Sequence, residues 1–148
     1  MTISHRSAIS ADYEWIIGVV DDWWRRPVSS GLPRLFLEHF HSTSLVAEDS
    51  GKPVGFLVGF FSPSNQTEAY IHFVGVDPQM RRRSVGKELY EHFFEIARND
   101  GRIEVKAITA SINHDSIEFH RYLGFSVSPP IANYNGSGVD FVIFSRLL

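Results

Sequence analysis

Residues 71–90, IHFVGVDPQMRRRSVGKELY, constrain this chain more than any other stretch. They read as a buried strand, a short Asp-Pro turn, a basic loop containing Gly86, and then a helix. A helix start offers backbone N–H groups without intrahelical acceptors and the positive end of the helix dipole, so a phosphate is favoured there. Arg81, Arg82, Arg83 and Lys87 add cationic side chains at the same spot. A strand feeding such a loop holds a phosphate-bearing ligand beside its C-terminal end.

The rest of the composition narrows what kind of ligand that is. Net charge is −3 over 148 residues, so the chain carries no global basic footprint for nucleic acid, and its positive charge is local. One small anionic ligand fits better than a polyanion. A hydrophobic fraction of 43% and twelve phenylalanines suit a globular fold with one core, and the length fits a single domain over residues 1–148. With no cysteine, disulfides, thiol nucleophiles and thiolate metal sites are excluded. No segment approaches 18 continuous apolar residues and the N-terminus lacks an apolar signal-like run, so a soluble cytoplasmic protein without membrane contact is expected.

Taken in order, residues 2–7 suit a short edge strand. Ser10 is a plausible N-cap for a helix carrying Tyr13, Ile16, Ile17, Val20 and Trp24, which Pro27 ends. Pro33 suits the first turn of a second helix with Leu35, Phe36 and Phe40. Residues 45–48 and 54–61 read as strands joined by the turn Asp49-Ser-Gly-Lys52. Residues 68–76 form a strong strand, whose alternation places Tyr70, His72, Val74 and Val76 on one face and Ile71, Phe73 and Gly75 on the other. Residues 84–99 form an amphipathic helix stopped by Gly101. A strand over 103–109, a short helix from Asn113 or Asp115 to Leu123, and strands over 125–127 and 140–147 complete the chain. The expected fold class is α/β, a mixed, mostly antiparallel sheet flanked by helices, with a right-handed parallel crossover through helix 84–99.

Two motifs in this order resemble the GNAT superfamily of acetyl-CoA-dependent N-acetyltransferases. The first is Arg81-Arg-Arg-Ser-Val-Gly86, matching the family's Arg/Gln-x-x-Gly-x-Gly/Ala after a Val-Asp-Pro-like strand end. The second is Asn113…Ser116…Phe119-His-Arg-Tyr-Leu-Gly-Phe125, matching a short helix ending in aromatic-x-x-x-Leu-Gly-Phe. The resemblance covers nearly the whole chain and departs from the pattern at Ser84, which occupies the first glycine position of the loop.

The resemblance implies a GNAT-like fold, acetyl-CoA as co-substrate and no metal. It implies that the backbone of Val74, Gly75 and Val76 pairs with the pantetheine arm. The N–H groups of Arg82, Arg83, Ser84, Val85, Gly86 and Lys87 hold the pyrophosphate, with Arg81 beside them. Asn113, with Ser116 in the same motif, contacts the pantetheine. His120 occupies the position where many members carry a thiolate-protonating tyrosine, and Tyr122 lies two residues on.

The chemistry then asks for a base, an oxyanion donor and an acid. An alkyl ammonium near pKa ~10.4 must lose a proton before it attacks, and a thiolate with conjugate acid near ~8.5 leaves more readily when protonated. His72 is the candidate base, with a hydrogen-bonded core histidine as the alternative. Glu68 is a weaker candidate. His120 and Tyr122 compete for the acid, against packing roles for both. Trp23, Trp24 and Phe36 are candidates for walling the acceptor pocket, with Tyr70 on the His72 face and Tyr134, Asn135 and Asp140 closing it from the last loop; core packing is the alternative for the first three. His39 and His41 lie at i, i+2 and do not share a helix face, so no metal site is expected. The expected activity is acetyl transfer to a primary amine of a small molecule or peptide, by direct attack in a ternary complex. The rivals are a non-catalytic acyl-CoA sensor and an acetyltransferase of protein N-termini or lysines. A homodimer is the expected assembly.

Overall fold

The computed structural model describes residues 2–148, apart from the side chain of Arg82. The elements are β1 (Ile3–Ser7), α1 (Tyr13–Trp24), α2 (Leu35–Phe40), β2 (Leu45–Asp49), β3 (Lys52–Phe61), β4 (Glu68–Val76), α3 (Val85–Asn99), β5 (Glu104–Ala110), α4 (His114–Tyr122), β6 (Ser126–Val127) and β7 (Phe141–Leu147). Among the described residues the strands form one seven-stranded mixed sheet in the order β1-β2-β3-β4-β5-β7-β6. β1, β2 and β3 are antiparallel neighbours, as are β5, β7 and β6, while β4 and β5 run parallel from the Glu68–Glu104 pair to the Tyr70–Lys106 pair. The described chain packs as two compact units, residues 2–60 with 71–96 and residues 61–70 with 97–148.

In the first unit, α1 does not begin on a Ser10 cap. Ser10 opens a short 3-10 turn (Ser10–Asp12), and the buried Asp12 carboxylate organises the junction. It accepts two hydrogen bonds from the Arg6 guanidinium at 2.9 Å, one from the Ile9 N–H at 2.8 Å and one from the Trp15 indole at 2.8 Å. Burial pushes the Asp12 carboxyl up, but these donors together outweigh it and hold the group below the usual carboxylate range. The apolar stripe of α1 then packs Ile16, Val20 and Trp23 against Val46, Phe56 and Val58 of the sheet. The residue before Phe56 on β3 faces the other way: at Gly55 an added Cβ would lie 3.0 Å from Val85 and 3.2 Å from Leu89 of α3. Within this unit α1 and α3 therefore cover opposite faces of β3.

The hairpin between β2 and β3 turns through Ser50 and Gly51, both at positive φ (52° and 86°), as a two-residue turn requires. Gly75 has a different reason to be glycine. A Cβ there would sit 2.4 Å from the Phe56 ring. That ring cannot yield, because it is fully buried, stacked on Trp23 and edge-on to Trp15.

In the second unit, Arg102 ties a loop together by donating to the Ser62 carbonyl at 2.8 Å and the Glu68 carbonyl at 3.2 Å, while Lys106 pairs with Glu68 at 2.8 Å. Its core centres on His120. The ring is 6% exposed, stacks on Phe144 at 3.8 Å and 6°, and meets Phe119 and Phe125 edge-on. Its Nδ1–H donates to the Ser116 carbonyl at 2.7 Å. Burial pushes the His120 pKa down to about 4, although the Ser116 carbonyl works in the opposite direction.

This packing has a measurable acid signature. Between the unfolded value of about 6.5 and the folded value, the unfolded chain binds a proton that the native state refuses, so stability falls as pH falls. With His120 at about 4 in the fold, the loss between pH 7 and pH 4.5 is about 2–3 kcal/mol. In urea unfolding, His120→Phe should lose less stability over that interval by about this amount; an identical acid loss in both proteins would refute the assignment.

Candidate active site

The residues around His72 come from three elements of the first unit. His72 lies mid-strand on β4, half-buried, and its Nε2 is 2.7 Å from the Gly31 carbonyl in the turn between α1 and α2. A carbonyl can only accept, so Nε2 carries the proton and Nδ1 keeps the lone pair. Phe36 of α2 stacks on the imidazole at 4.1 Å and 8°, and the Phe73 ring lies 4.7 Å away, tilted by 30°. Burial lowers the His72 pKa, and the Gly31 hydrogen bond offsets this only in part. The ring is thus neutral near pH 7, with one nitrogen able to take a proton.

His72 bonds the Gly31 carbonyl, and the Phe73 ring tip lies 3.1 Å from where a Gly31 Cβ would stand. Two successive side chains of β4 therefore reach the same turn. Phe73 also stacks on Trp24 at 4.8 Å and 19°, and the Trp24 indole N–H donates to the Val74 carbonyl at 2.9 Å. The Arg26 guanidinium lies 5.5 Å over the Trp24 ring.

Of the aromatic residues considered for the acceptor wall, Trp24 and Phe36 stand beside His72 and its strand. Trp23 does not: it is 9% exposed and packs in the core against Phe56 and Trp15. One residue along a helix is a rotation of about 100°, which is enough to separate the two tryptophans.

Beyond β4, Asp77 accepts the Gln79 N–H at 2.9 Å and opens a 3-10 turn, Pro78–Arg83. Ser84 closes it in the left-handed region, at φ 61° and ψ 20°. The first intrahelical bond of α3 runs from the Glu88 N–H to the Ser84 carbonyl at 3.0 Å. The N–H groups of Val85, Gly86 and Lys87 lie ahead of it, at the positive end of the helix dipole. Arg81 donates to the Trp23 carbonyl at the end of α1, Arg83 is exposed, and the Arg82 side chain lies outside the described residues.

In the second unit, the Asn113 amide caps α4. Its Oδ1 accepts the Ser116 N–H at 3.3 Å, and its Nδ2 donates to Thr109 at 3.1 Å. Ser116 gives its carbonyl to His120. His120 is consequently a poor proton donor to a leaving group, since its Nδ1–H is committed and the cationic form is disfavoured by burial. Tyr122 is 71% exposed, which removes the core-packing alternative for it. Tyr70 is half-buried with its hydroxyl pushed up to about 12, by burial first and by Tyr134 second, and Tyr134 is 43% exposed.

Gly31 had no sequence signal. It contributes a backbone carbonyl, which any residue carries. Among the described residues no helix is long and apolar enough to cross a membrane, and no three His, Cys, Asp or Glu side chains are placed to hold a metal ion.

Residues 14–125 match the acetyltransferase (GNAT) family model. The chain is 38% identical over 84 residues to an uncharacterized N-acetyltransferase of Methanocaldococcus jannaschii, covering 54% of this chain and 37% of that protein. It is 29% identical over 82 residues to an L-2,4-diaminobutyric acid acetyltransferase of Nocardia farcinica, covering 55% of this chain and 41% of that protein. The matched stretch thus spans about two fifths of the length of these relatives. The fold superposes on the structure of yncA from Salmonella typhimurium, a putative acetyltransferase with its cofactor acetyl-CoA, with a TM-score of 0.77 at 22% identity over 100% of this chain and 95% of that one. With the family match spanning both motif regions, the chain belongs to the acetyltransferase (GNAT) family.

Proposed function

We propose that the protein transfers the acetyl group of acetyl-CoA to a primary amine, with His72 as the proton acceptor. The observation that carries this reading is the hydrogen bond from His72 Nε2–H to the Gly31 carbonyl, which leaves Nδ1 as the basic atom of a neutral ring. In the reaction the amine nitrogen bonds to the thioester carbonyl carbon and the C–S bond breaks. The amine proton passes to His72 Nδ1, directly or through water, and the sulfur departs as thiolate. Since His120 is poorly suited to donate a proton, Tyr122 is the remaining side chain of the pair for protonating that thiolate.

The start of α3 supplies the coenzyme end of the site. Backbone N–H groups at Val85, Gly86 and Lys87, with cationic side chains around them, suit a pyrophosphate. Backbone of Val74, Gly75 and Val76 is the edge for the pantetheine arm, with the Val74 carbonyl already engaged by Trp24. Trp24 and Phe36 form an aromatic wall on the acceptor side of His72. A small amine acceptor is in keeping with the diaminobutyric acid acetyltransferases among the relatives.

Three outcomes are expected. Coenzyme A at millimolar concentration raises the melting temperature through linkage, and no shift would end the coenzyme reading. Ser84→Gly relieves an L-residue held at φ 61°; it should stabilise the fold by roughly 1 kcal/mol and tighten coenzyme A binding a few-fold. With acetyl-CoA and a panel of amines, thiol release should follow an acid limb with a midpoint below about 6.5, because the His72 pKa is lowered. His72→Ala should cut that rate by roughly 10²–10⁴ and abolish the limb. An unchanged rate and limb in His72→Ala would remove His72 as the base.

A further inference from the structure

The turn that orients His72 is itself held from α1. Asp21, half-buried in the last turn of that helix, accepts the Val28 N–H at 2.8 Å and the Ser29 N–H at 2.7 Å through one carboxylate oxygen. Those two donors open the 3-10 turn Ser29–Gly31, in which the Gly31 N–H bonds the Val28 carbonyl at 2.9 Å and the Leu32 N–H bonds the Ser29 carbonyl at 3.0 Å. Leu32 is fully buried, and its carbonyl accepts the Tyr13 hydroxyl at 3.1 Å. The turn is therefore anchored to α1 at both ends, and the Gly31 carbonyl between the anchors is the atom that meets His72 Nε2–H at 2.7 Å.

We propose that Asp21 is the positioning residue of the active site: by fixing the 28–31 turn it places the Gly31 carbonyl, and that carbonyl sets the tautomer and ring direction of His72. Asp21 touches no reacting atom. Its carboxylate differs from an ordinary helix acid because it receives two main-chain donors of a segment seven and eight residues on. A backbone carbonyl cannot rotate independently of its peptide plane, so the accuracy of the His72 contact is the accuracy of the turn. The ring is clasped elsewhere by Phe36 and Phe73, which restrict its plane but, having no acceptor, cannot distinguish Nδ1 from Nε2.

This inference rests on His72 being the base, and the test separates the two. In ¹⁵N-histidine-labelled wild-type protein, neutral His72 should carry its proton on Nε2 with Nδ1 unprotonated; a neutral ring protonated on Nδ1 overturns the proposal without any variant. In Asp21→Ala the imidazole resonances should move toward a mixture of both tautomers. Asp21→Asn, whose amide oxygen can still accept both N–H groups, should restore the wild-type pattern. In the acetyl transfer assay, Asp21→Ala should lower kcat between about tenfold and a hundredfold with the KM for acetyl-CoA unchanged, and Asp21→Asn should recover most of it. A wild-type tautomer in a folded Asp21→Ala protein overturns the proposal. A mixed tautomer with undiminished kcat supports the positioning by Asp21 and sinks the assignment of His72 as base instead.

Discussion

Four hydrogen bonds converge on the buried carboxylate of Asp12, and the arrangement of the first unit follows from them. A carboxylate at 5% exposure is tolerable only if its charge is matched, and Arg6 of β1 matches it while also reaching Glu48 of β2 at 3.2 Å. One ionic cluster therefore fixes where α1 starts relative to the first two strands. Once its start is fixed, a rigid helix of twelve residues fixes its end as well. Everything proposed for the His72 side of the site hangs from that end.

At the far end of α1, three polar contacts in succession connect helix to site. Asp21 holds the turn, Trp24 donates to the Val74 carbonyl, and the Trp23 carbonyl receives Arg81 from the segment before α3. The helix terminus thus touches both the strand proposed for pantetheine and the segment proposed for pyrophosphate. A ligand bound at α3 and a substrate beside His72 would share one support within the first unit. Gly75 contributes to that support through what it lacks, since only a missing Cβ lets Phe56 fill the space behind β4.

Much of this was legible from local signals. The extent of β4, the helix beginning around Ser84 and the Ser50-Gly51 turn follow from short-range rules of alternation, helical spacing and turn chemistry, because each depends on neighbours a few residues away, while the parallel crossover follows from the handedness rule for strand–helix–strand connections. The errors have a common origin. A motif position suggested His120 as an acid, yet the aromatic shell of Phe119, Phe125 and Phe144 makes it a neutral packing group. Two adjacent tryptophans were equivalent as letters and are not equivalent in space.

By itself the sequence determined the order of strands and helices, the basic helix start with its Arg-x-x-Ser-x-Gly spacing, and the family. These are properties of patterns, which survive in one dimension. Tertiary structure alone decided which nitrogen of His72 meets a carbonyl, that Ser84 is held in the left-handed region, and that Asp21 holds the turn carrying the Gly31 carbonyl. Those outcomes depend on contacts such as His72 with Gly31, 41 residues apart. A carbonyl oxygen carries no residue identity, so no spacing of letters could have announced it.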